Sequence, residues 1–246
     1  MTSVEHFVPD AEADTSPRVV AAYIEAYTDV NDLIVDPFCR SPICVTTAVA
    51  AGRRAVAVNF SPLDALRTRL ALVPVPTRDL DAAATRISDS PKFDMPLRRH
   101  LLRLYRTACR SCGNEVIADY FVWERGRDVP SQVSYRCAAC GDAGLRDCVE
   151  ADVQVLKDID PRGLHYWYVL DRAARQDDEP RRFAAELLEL YTPRSLYVLY
   201  NLVLKAEDLF AGSTIHDFLR LALLRCLELG SVLNPAPGDT ELAETA

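Results

Sequence analysis

No run of apolar residues in this 246-residue chain approaches the roughly 20 residues that a membrane-spanning helix needs. The first residues, MTSVEHFVPDAEADTSPR, also lack the basic start and the apolar stretch of a secretory leader. The sequence therefore predicts no membrane span and a cytoplasmic location. Residues 1–16 are polar, acidic and without a period, so we expect them to be mobile.

Histidine is scarce, and none of the four has a partner at metal-ligand spacing, so we expect them to be structural: His6, His100, His165 and His216. The eight cysteines are not laced evenly through a short chain as in a secreted disulfide scaffold. Four of them form two close pairs, which reduced thiolates on a metal explain better. The others lack such spacing and are predicted to be small buried apolar residues: Cys39, Cys44, Cys148 and Cys226.

The paired cysteines are the strongest chemical signal in the sequence. They stand in Cys109-Arg-Ser-Cys112-Gly and Cys137-Ala-Ala-Cys140-Gly, with 24 residues between the pairs. Two intervening residues let both thiolates of a pair point at one ion, and the glycine relieves the turn that follows. Four thiolates close a tetrahedral zinc site without an open position for water, so the spacing predicts a structural zinc ion rather than a catalytic one.

The pattern before the cysteines predicts an α/β region over residues 17–96. A helix over 18–28 precedes a short apolar strand at 33–35, a helix over 45–51, a strand over 54–60 and a helix from Pro62. This order is a βαβ unit with a parallel sheet. Residues 73–96 are a proline-bearing connector around a short helical stretch, and the connector resembles an insertion boundary.

The remaining chain divides by pattern into three further parts. Residues 97–150 contain the predicted zinc ribbon, and residues 151–232 continue the core with two possible strands, 153–156 and 166–170, and helices over 180–190, 193–210 and 215–229. Thr192 is a plausible helix N-cap, Thr214 with Asp217 resembles a capping box, and Gly230 ends the last helix. Residues 233–246 are predicted to be a disordered tail.

The loop after the first strand is the candidate ligand site. It reads Asp36-Pro-Phe-Cys-Arg-Ser-Pro-Ile-Cys44, at the carboxyl end of a parallel strand where open α/β sheets bind nucleosides. Asn59 lies at the end of the second predicted strand, where an acidic or amide side chain can hold ribose hydroxyls. Many βαβ units end strands in this way, so the pattern alone leaves a nucleoside site and an ordinary loop both open.

These segments together resemble the cofactor motif of the DNA methyltransferases that act on exocyclic amino groups of adenine or cytosine. Those enzymes read DPFCGSGTT and then GRRAIGVDLNPLA, compared with DPFCRSPIC and GRRAVAVNFSPLD here. The ribbon with YFVWER inside it and the later YTPRSL are similar to a zinc-ribbon-bearing subgroup. The resemblance implies a partial Rossmann-like core and an S-adenosylmethionine pocket, lined by Asp36, Phe38, Ser41, Asn59 and Ser61.

The chain departs from that family at three places. Arg40 and Pro42 replace two glycines that let the backbone approach the cofactor. Asn59, whose amide carries no charge, stands where the family has an acidic ribose-binding residue. The catalytic Asp/Asn-Pro-Pro-Tyr is missing, since Asn234-Pro-Ala-Pro237 is only an echo of it. The resemblance therefore implies a truncated member, the cofactor half and ribbon, which needs a second polypeptide for catalysis.

Charge is uneven along a chain whose net charge is −8. Residues 97–136 hold eight arginines against four acidic residues, a basic face that either contacts DNA or is simply solvated. Within the ribbon, Arg125 and Arg127 are the candidate DNA-binding residues. Tyr120, Trp123 and Tyr135 either stack on bases or build the core of the ribbon.

Three functional hypotheses follow from these residues. The first is a DNA methyltransferase half that works with a separate catalytic chain. The second is a catalytically inactive descendant, in which the zinc ribbon binds DNA or a protein. The third is a decayed gene fragment without activity.

Overall fold

The computed structural model of the chain describes residues 16–124, 129–174 and 178–233. Over these residues the protein is a mixed α/β structure with two compact units. The first unit takes in residues 1–84 and 206–225, and the second takes in residues 85–205 and 226–246, as far as each is described. Among the described helices, none has the length and apolar character to cross a bilayer. The predicted mobile N-terminus, apart from residue 16, and the tail from residue 234 lie outside the described residues.

The first unit begins with alternating helices and strands, as the sequence predicts. The elements are α1 (Pro17–Tyr27), β1 (Leu33–Asp36), α2 (Ile43–Ala50), β2 (Arg54–Ala57) and α3 (Pro62–Leu72). β1 and β2 pair in parallel from Leu33 opposite Arg54 to Asp36 opposite Ala57. The predicted parallel βαβ unit is confirmed, and its second strand ends three residues earlier than expected.

Helix α3 fixes the loop that follows β2 and carries the core of the first unit. Its N-cap is Ser61, whose hydroxyl accepts a hydrogen bond from the backbone N–H of Asp64 at 3.2 Å, and Pro62 opens the first turn. Leu70 at its far end is buried against Phe218 and Leu221. These apolar contacts pack α3 against a later segment of the chain.

The connector predicted at residues 73–96 is more regular than its prolines suggest. It contains helix α4 (Thr77–Asp89) and a two-stranded antiparallel hairpin of β3 (Pro91–Lys92) and β4 (Met95–Pro96). Phe93 in the hairpin turn has a positive φ of 55°. Helix α5 (Leu97–Leu102) and a 3₁₀ turn (Arg103–Tyr105) then lead into the ribbon.

The ribbon is a four-stranded antiparallel meander. Its strands are β5 (Arg106–Ala108), β6 (Glu115–Val122), β7 (Gln132–Arg136) and β8 (Ala143–Asp147), paired in that order. The first cysteine pair lies in the β5–β6 turn and the second lies in the β7–β8 turn. Because the two turns lie at the same end of the sheet, residues 28 positions apart in sequence, such as Cys109 and Cys137, come together.

Two segments predicted as strands are helical. Residues 153–156 belong to α6 (Glu150–Gln154) and the 3₁₀ turn after it (Val155–Asp158), and residues 166–170 belong to α7 (Leu164–Ala173). Asp152 decides the first case, since its carboxylate accepts the backbone N–H of Val149 at 2.8 Å and starts a helix. In the second case Tyr166, Val169 and Leu170 pack in one cluster, which is the i, i+3, i+4 spacing of a helix.

The three predicted C-terminal helices are confirmed as α8 (Asp178–Leu188), α9 (Pro193–Phe210) and α10 (Thr214–Leu229). Thr192 caps α9 by accepting the backbone N–H of Ser195 at 3.1 Å. The expected Thr214 cap of α10 is wrong by one residue, because the Ser213 hydroxyl accepts the N–H of His216. Gly230 follows the last residue of α10, as predicted.

Arg194 fastens the start of α9 to the ribbon within the second unit. Its side chain is buried, and its guanidinium carbon lies 3.9 Å from the ring centre of Phe121 and 4.7 Å from that of Tyr105. It also donates to the carbonyl of Leu104 at 2.9 Å. Burial lowers the pKa of Arg194 below its ordinary value. Stacking on the two rings stabilises the buried guanidinium of Arg194. A lysine could not replace it, because its ammonium group is not planar and its side chain is flexible.

Candidate zinc site and the loop after β1

The four predicted metal ligands meet at one point. All Sγ atoms of Cys109, Cys112, Cys137 and Cys140 lie within 4.8 Å of one another. Cys109 and Cys140 are 3.5 Å apart, and Cys112 and Cys137 are 3.6 Å apart. A tetrahedron with Zn–S bonds of about 2.3 Å separates its sulfurs by about 3.8 Å, so the donor set and its spacing fit a zinc ion.

The two cysteine turns have the same backbone geometry. Gly113 and Gly141, each directly after a second cysteine, have φ values of 73° and 78°, where a side chain would be strained. Each donates its N–H to the carbonyl of the first cysteine of its pair at 2.9 Å. The role that the sequence assigns to these glycines is therefore confirmed.

Backbone N–H groups around the turns face the sulfurs. Those of Cys140 and Ala139 approach Cys137 and lower its pKa to about 7. At Cys140 the backbone N–H of Asp142 favours the thiolate and lowers the pKa. The neighbouring side chains of Cys112 and Cys109, together with burial, have the larger effect and raise the pKa of Cys140 to about 12. Four thiols at this separation therefore do not all ionise together without a cation, and a divalent ion would hold all four as thiolates.

A polar network links the two turns behind the sulfurs. The hydroxyl of buried Tyr135 donates to Asp142 at 2.7 Å and accepts the backbone N–H of Arg110 at 3.1 Å. The hydrogen bond from Tyr135 holds the pKa of Asp142 below its ordinary value, and Arg110 forms an ion pair with it at 3.4 Å. Tyr135 is therefore part of the ribbon core, which decides between the two roles that the sequence left open for it.

The remaining cysteines lie outside this cluster. Cys39 is buried, as expected, and burial raises its pKa. Cys44 and Cys148 are half-buried, whereas Cys226 is exposed, so the prediction of a buried apolar role is wrong for Cys226. Cys226 lies on a different face of α10 from the buried Phe218 and Leu221, and the leucines on both sides of it in the sequence had suggested a buried position.

The structure brings the predicted cofactor residues to one end of the parallel sheet. The N–H of Val58 donates to the carbonyl of Asp36 at 2.9 Å, and the N–H of Cys39 donates to the carbonyl of Val58 at 3.0 Å. These bonds hold the loop after β1 beside the loop after β2. Phe38 projects into solvent with 77% of its surface exposed.

Most polar groups of this loop already bond within it. Asp36 accepts the N–H of Phe38 at 3.2 Å, and Ser41 accepts the N–H of Ile43 at 3.4 Å. Asn59 bridges the two loops: its amide nitrogen donates to the carbonyl of Cys39 at 2.5 Å, and its amide oxygen accepts the N–H of Ser61 at 2.7 Å. The side chain assigned to ribose by the resemblance thus serves as an internal brace.

Arginines line a cleft in the second unit. The cleft has a volume of about 310 Å³ and is bordered by Arg98, Arg99, Arg103 and Arg106. Arg98 and Arg99 are exposed and form no ion pair with another described residue. The two arginines that the sequence favoured for DNA, Arg125 and Arg127, lie outside the described residues.

The chain was compared with protein-family models, with curated proteins and with solved structures, and none of the three comparisons gave a match.

Proposed function

We propose that this chain is the cofactor half and zinc ribbon of an S-adenosylmethionine-dependent DNA methyltransferase acting on base amino groups, completed by a second polypeptide. The observation that carries the proposal is the parallel β1–α2–β2 unit, with the loop from Asp36 and the loop of Asn59 adjacent at its carboxyl end. Ligands of open α/β sheets bind at that edge. Bound S-adenosylmethionine would supply the methyl group, and Asp36, Phe38, Ser41 and Ser61 would hold it.

The exposed face of the small sheet supports the need for a second chain. Leu33, Val35 and Val56 point to one face and expose 51%, 53% and 44% of their surfaces. Parallel sheets are normally covered on both faces and contain more than two strands. We therefore propose that the partner adds strands beside β1 or β2 and covers these side chains, while it brings the catalytic tetrapeptide.

Calorimetric titration of the zinc-loaded protein with S-adenosylmethionine tests the cofactor part of this proposal. We expect micromolar binding that is lost in Asp36→Ala, because that carboxylate lies at the end of β1. Asp32→Ala is the matched control, since Asp32 precedes the same strand at its opposite end and should leave the affinity unchanged. Absence of binding by a folded sample, or equal loss in both variants, would contradict the proposal.

A second candidate function is a zinc-ribbon module that binds DNA beside an inactive cofactor fold. The brace formed by Asn59 favours it, because the cofactor would have to displace the hydrogen bond from Asn59 to Cys39 that joins the two loops and the one from Ser61 that orients the Asn59 amide. Arg40 and Pro42 also disfavour cofactor binding, because Arg40 adds bulk to the loop and Pro42 lacks a backbone N–H. The cleft bordered by Arg98 and Arg99 offers guanidinium groups to phosphate.

Salt-dependent DNA binding separates the two functions. For the second candidate we expect affinity that falls with salt, does not respond to S-adenosylmethionine, and weakens in the double variant Arg98→Gln/Arg99→Gln. The slope of log affinity against log salt should decrease by about 0.9 for each phosphate that the variant no longer neutralises. Arg18→Gln/Arg182→Gln removes the same charge from exposed sites elsewhere and is the control. The pair Arg125→Ala and Arg127→Ala tests the residues that the sequence favoured.

A further inference from the structure

A second cavity in the same unit is not explained by either proposed function. It has a volume of about 650 Å³, within the usual range of small-molecule sites, which is roughly 300–1,000 Å³. Its walls come from α5 and the turn after it, from β5 and the start of β6, from the stretch that runs from α6 to the start of α7, and from α9. The residues that matter below are His100, Arg103, His165 and Tyr197, all of which line it.

His100 fixes the direction in which the Tyr197 hydroxyl can donate. The imidazole is 3% exposed, and its Nε2 lies 2.9 Å from the Tyr197 hydroxyl. Its Nδ1 is buried without a partner among the described residues. Burial, with the charges of Arg103 and Lys92, lowers the pKa of His100, so the ring is neutral near pH 7.

A neutral imidazole carries one N–H proton, on either Nδ1 or Nε2. The favoured nitrogen is the one that leaves no buried N–H without an acceptor. A buried N–H without an acceptor is rarer in proteins than a buried acceptor without a donor. The proton is therefore assigned to Nε2, which donates to the Tyr197 oxygen. The hydroxyl proton of Tyr197 then has no acceptor among the described residues and is free to donate to a ligand.

His165 is a second buried histidine in contact with Tyr197. It is 5% exposed, its Nε2 is buried without a partner among the described residues, and its ring meets the Tyr197 ring edge-on at 5.4 Å. Burial lowers the pKa of His165 as well. By the same reasoning its proton lies on Nδ1.

Among the described residues, the charges of the cavity wall leave the Arg103 guanidinium without a counter-ion. Arg106 is paired with Glu115 at 3.2 Å, and Asp152 is paired with Arg146 at 2.7 Å. Arg103 forms no ion pair with any residue that the structure describes, and it lies close enough to His100 to lower its pKa. Asp160 also lines the cavity, and its charge acts on His165. The end of the cavity at His100 therefore combines a free guanidinium with a free hydroxyl donor.

We propose that this cavity binds a small molecule bearing a carboxylate or phosphate group, whose oxygens accept hydrogen bonds from the Tyr197 hydroxyl and the Arg103 guanidinium. The buried imidazole of His100 is a positioning residue, because it orients the hydroxyl of Tyr197 and does not contact the ligand itself. The volume leaves room for an organic body beyond the anionic group. The site includes neither the β1 loop nor Arg98 and Arg99, whereas Arg103 and Arg106 border both this cavity and the arginine-lined cleft.

Nuclear magnetic resonance of the ¹⁵N-labelled, zinc-loaded full chain tests the proposal, with inorganic phosphate and acetate as separate probes and chloride at equal ionic strength as the reference. We expect saturable shifts at the amides of Arg103 and Tyr197 with at least one probe, and the probe that saturates identifies the anionic group. Tyr197→Phe should weaken that probe about tenfold, as the loss of a hydrogen bond to a charged group does.

Tyr200→Phe is the matched control, since it removes a hydroxyl from the same helix and Tyr200 does not border the cavity. It should leave the affinity unchanged. Shifts that match those with chloride, or equal weakening in both variants, would overturn the proposal. Because neither variant alters the β1 loop or the arginines, the outcome is separable from the tests of the two proposed functions.

Discussion

The hydroxyl of Tyr135 donates a hydrogen bond of 2.7 Å to Asp142, which joins the core of the ribbon to the second cysteine turn. The same hydroxyl accepts the backbone N–H of Arg110 in the first turn at 3.1 Å. The buried Tyr135 hydroxyl thus forms hydrogen bonds to both cysteine turns. Cys112 in the first turn and Cys137 in the second are 25 residues apart in sequence. Groups behind metal ligands orient them and tune their affinity.

We expect Tyr135→Phe to weaken zinc binding about tenfold, because it removes both hydrogen bonds and keeps the ring that packs in the ribbon core. Competition with a chromophoric chelator measures the affinity. Tyr166→Phe, in helix α7, is the control and should bind zinc as the unaltered protein does. An unchanged affinity in Tyr135→Phe would show that the turns hold the ion without this link.

Removal of the metal should unfold the ribbon. The buried cluster next to the metal site consists of Cys109, Tyr135 and Cys137 with Val116 packed against them, so two of its members are themselves metal ligands and the ion holds the cluster together. We expect a chelator to abolish the hydrogen-exchange protection of Val133 and Ser134 in β7.

Metal analysis of two cysteine variants checks which thiols are ligands. Cys112→Ser should lower the zinc content below one ion per chain, because three thiolates and a hydroxyl bind it less tightly. Cys148→Ser is the matched control, since Cys148 lies just beyond β8 and outside the cluster. Equal zinc content in the two variants would contradict the assignment.

Local chemistry made much of this structure predictable from the sequence. The cysteine spacing with its glycines specified the metal cluster, and the order of apolar runs specified the parallel β1–α2–β2 unit. The cap at Thr192 was also readable, since it depends on residues within one helical turn. The strands wrongly predicted at 153–156 and 166–170 were short apolar runs, for which periodicity does not separate strand from buried helix.

Features that depend on distant residues were not predictable. The contact between His100 and Tyr197 joins positions 97 residues apart, and the bond from Arg194 to Leu104 joins positions 90 residues apart. Sequence patterns report neighbours along one element, whereas these contacts require the packing of several elements. The brace formed by Asn59 is a similar case, because its partner Cys39 precedes it by 20 residues.

Among the ion pairs of the described ribbon residues, the pair of Arg146 and Asp152 is the most buried, and it should contribute strongly to stability. The two side chains are 11% and 1% exposed and meet at 2.7 Å, and Thr107 also donates to Asp152 at 2.6 Å. Removing one partner leaves the other charge buried without compensation, so we expect Asp152→Asn to cost about 3 kcal/mol in the free energy of unfolding. Urea denaturation followed by circular dichroism measures it, with exposed Asp147→Asn as the control.

The same pair predicts an acid-dependent loss of stability. Burial alone would raise the pKa of Asp152, but the hydrogen bonds from Arg146 and Thr107 outweigh it and hold the pKa below its ordinary value. Such a carboxylate stabilises the fold above its unfolded pKa of about 3.9, and this contribution is lost as the pH falls through the folded value. The unaltered protein should therefore lose stability below about pH 4 more steeply than Asp152→Asn. Equal slopes would contradict the prediction.

His100 and His165 should produce a second acid-dependent loss of stability, which begins at a higher pH than the loss caused by Asp152. Burial lowers the pKa of both imidazoles in the folded protein; Arg103 and Lys92 reinforce this at His100 and Asp94 opposes it, while Asp160 opposes it at His165. The unfolded chain then binds protons below about pH 6.5 that the folded chain does not, so stability decreases as the pH falls from that value. Each histidine should cost at most about 1.4 kcal/mol per pH unit.

Urea denaturation between neutral and mildly acidic pH measures this slope, and imidazole resonances give the two midpoints directly. His100→Gln should reduce the slope, because one of the two titrating groups is gone. Tyr197→Phe is the matched control, since it removes the hydrogen bond to His100 but no group that titrates in this range, so it should lower stability and keep the slope. Midpoints at or above about pH 6.5 would mean that both rings protonate in place, and would also remove the basis for assigning a free hydroxyl proton to Tyr197.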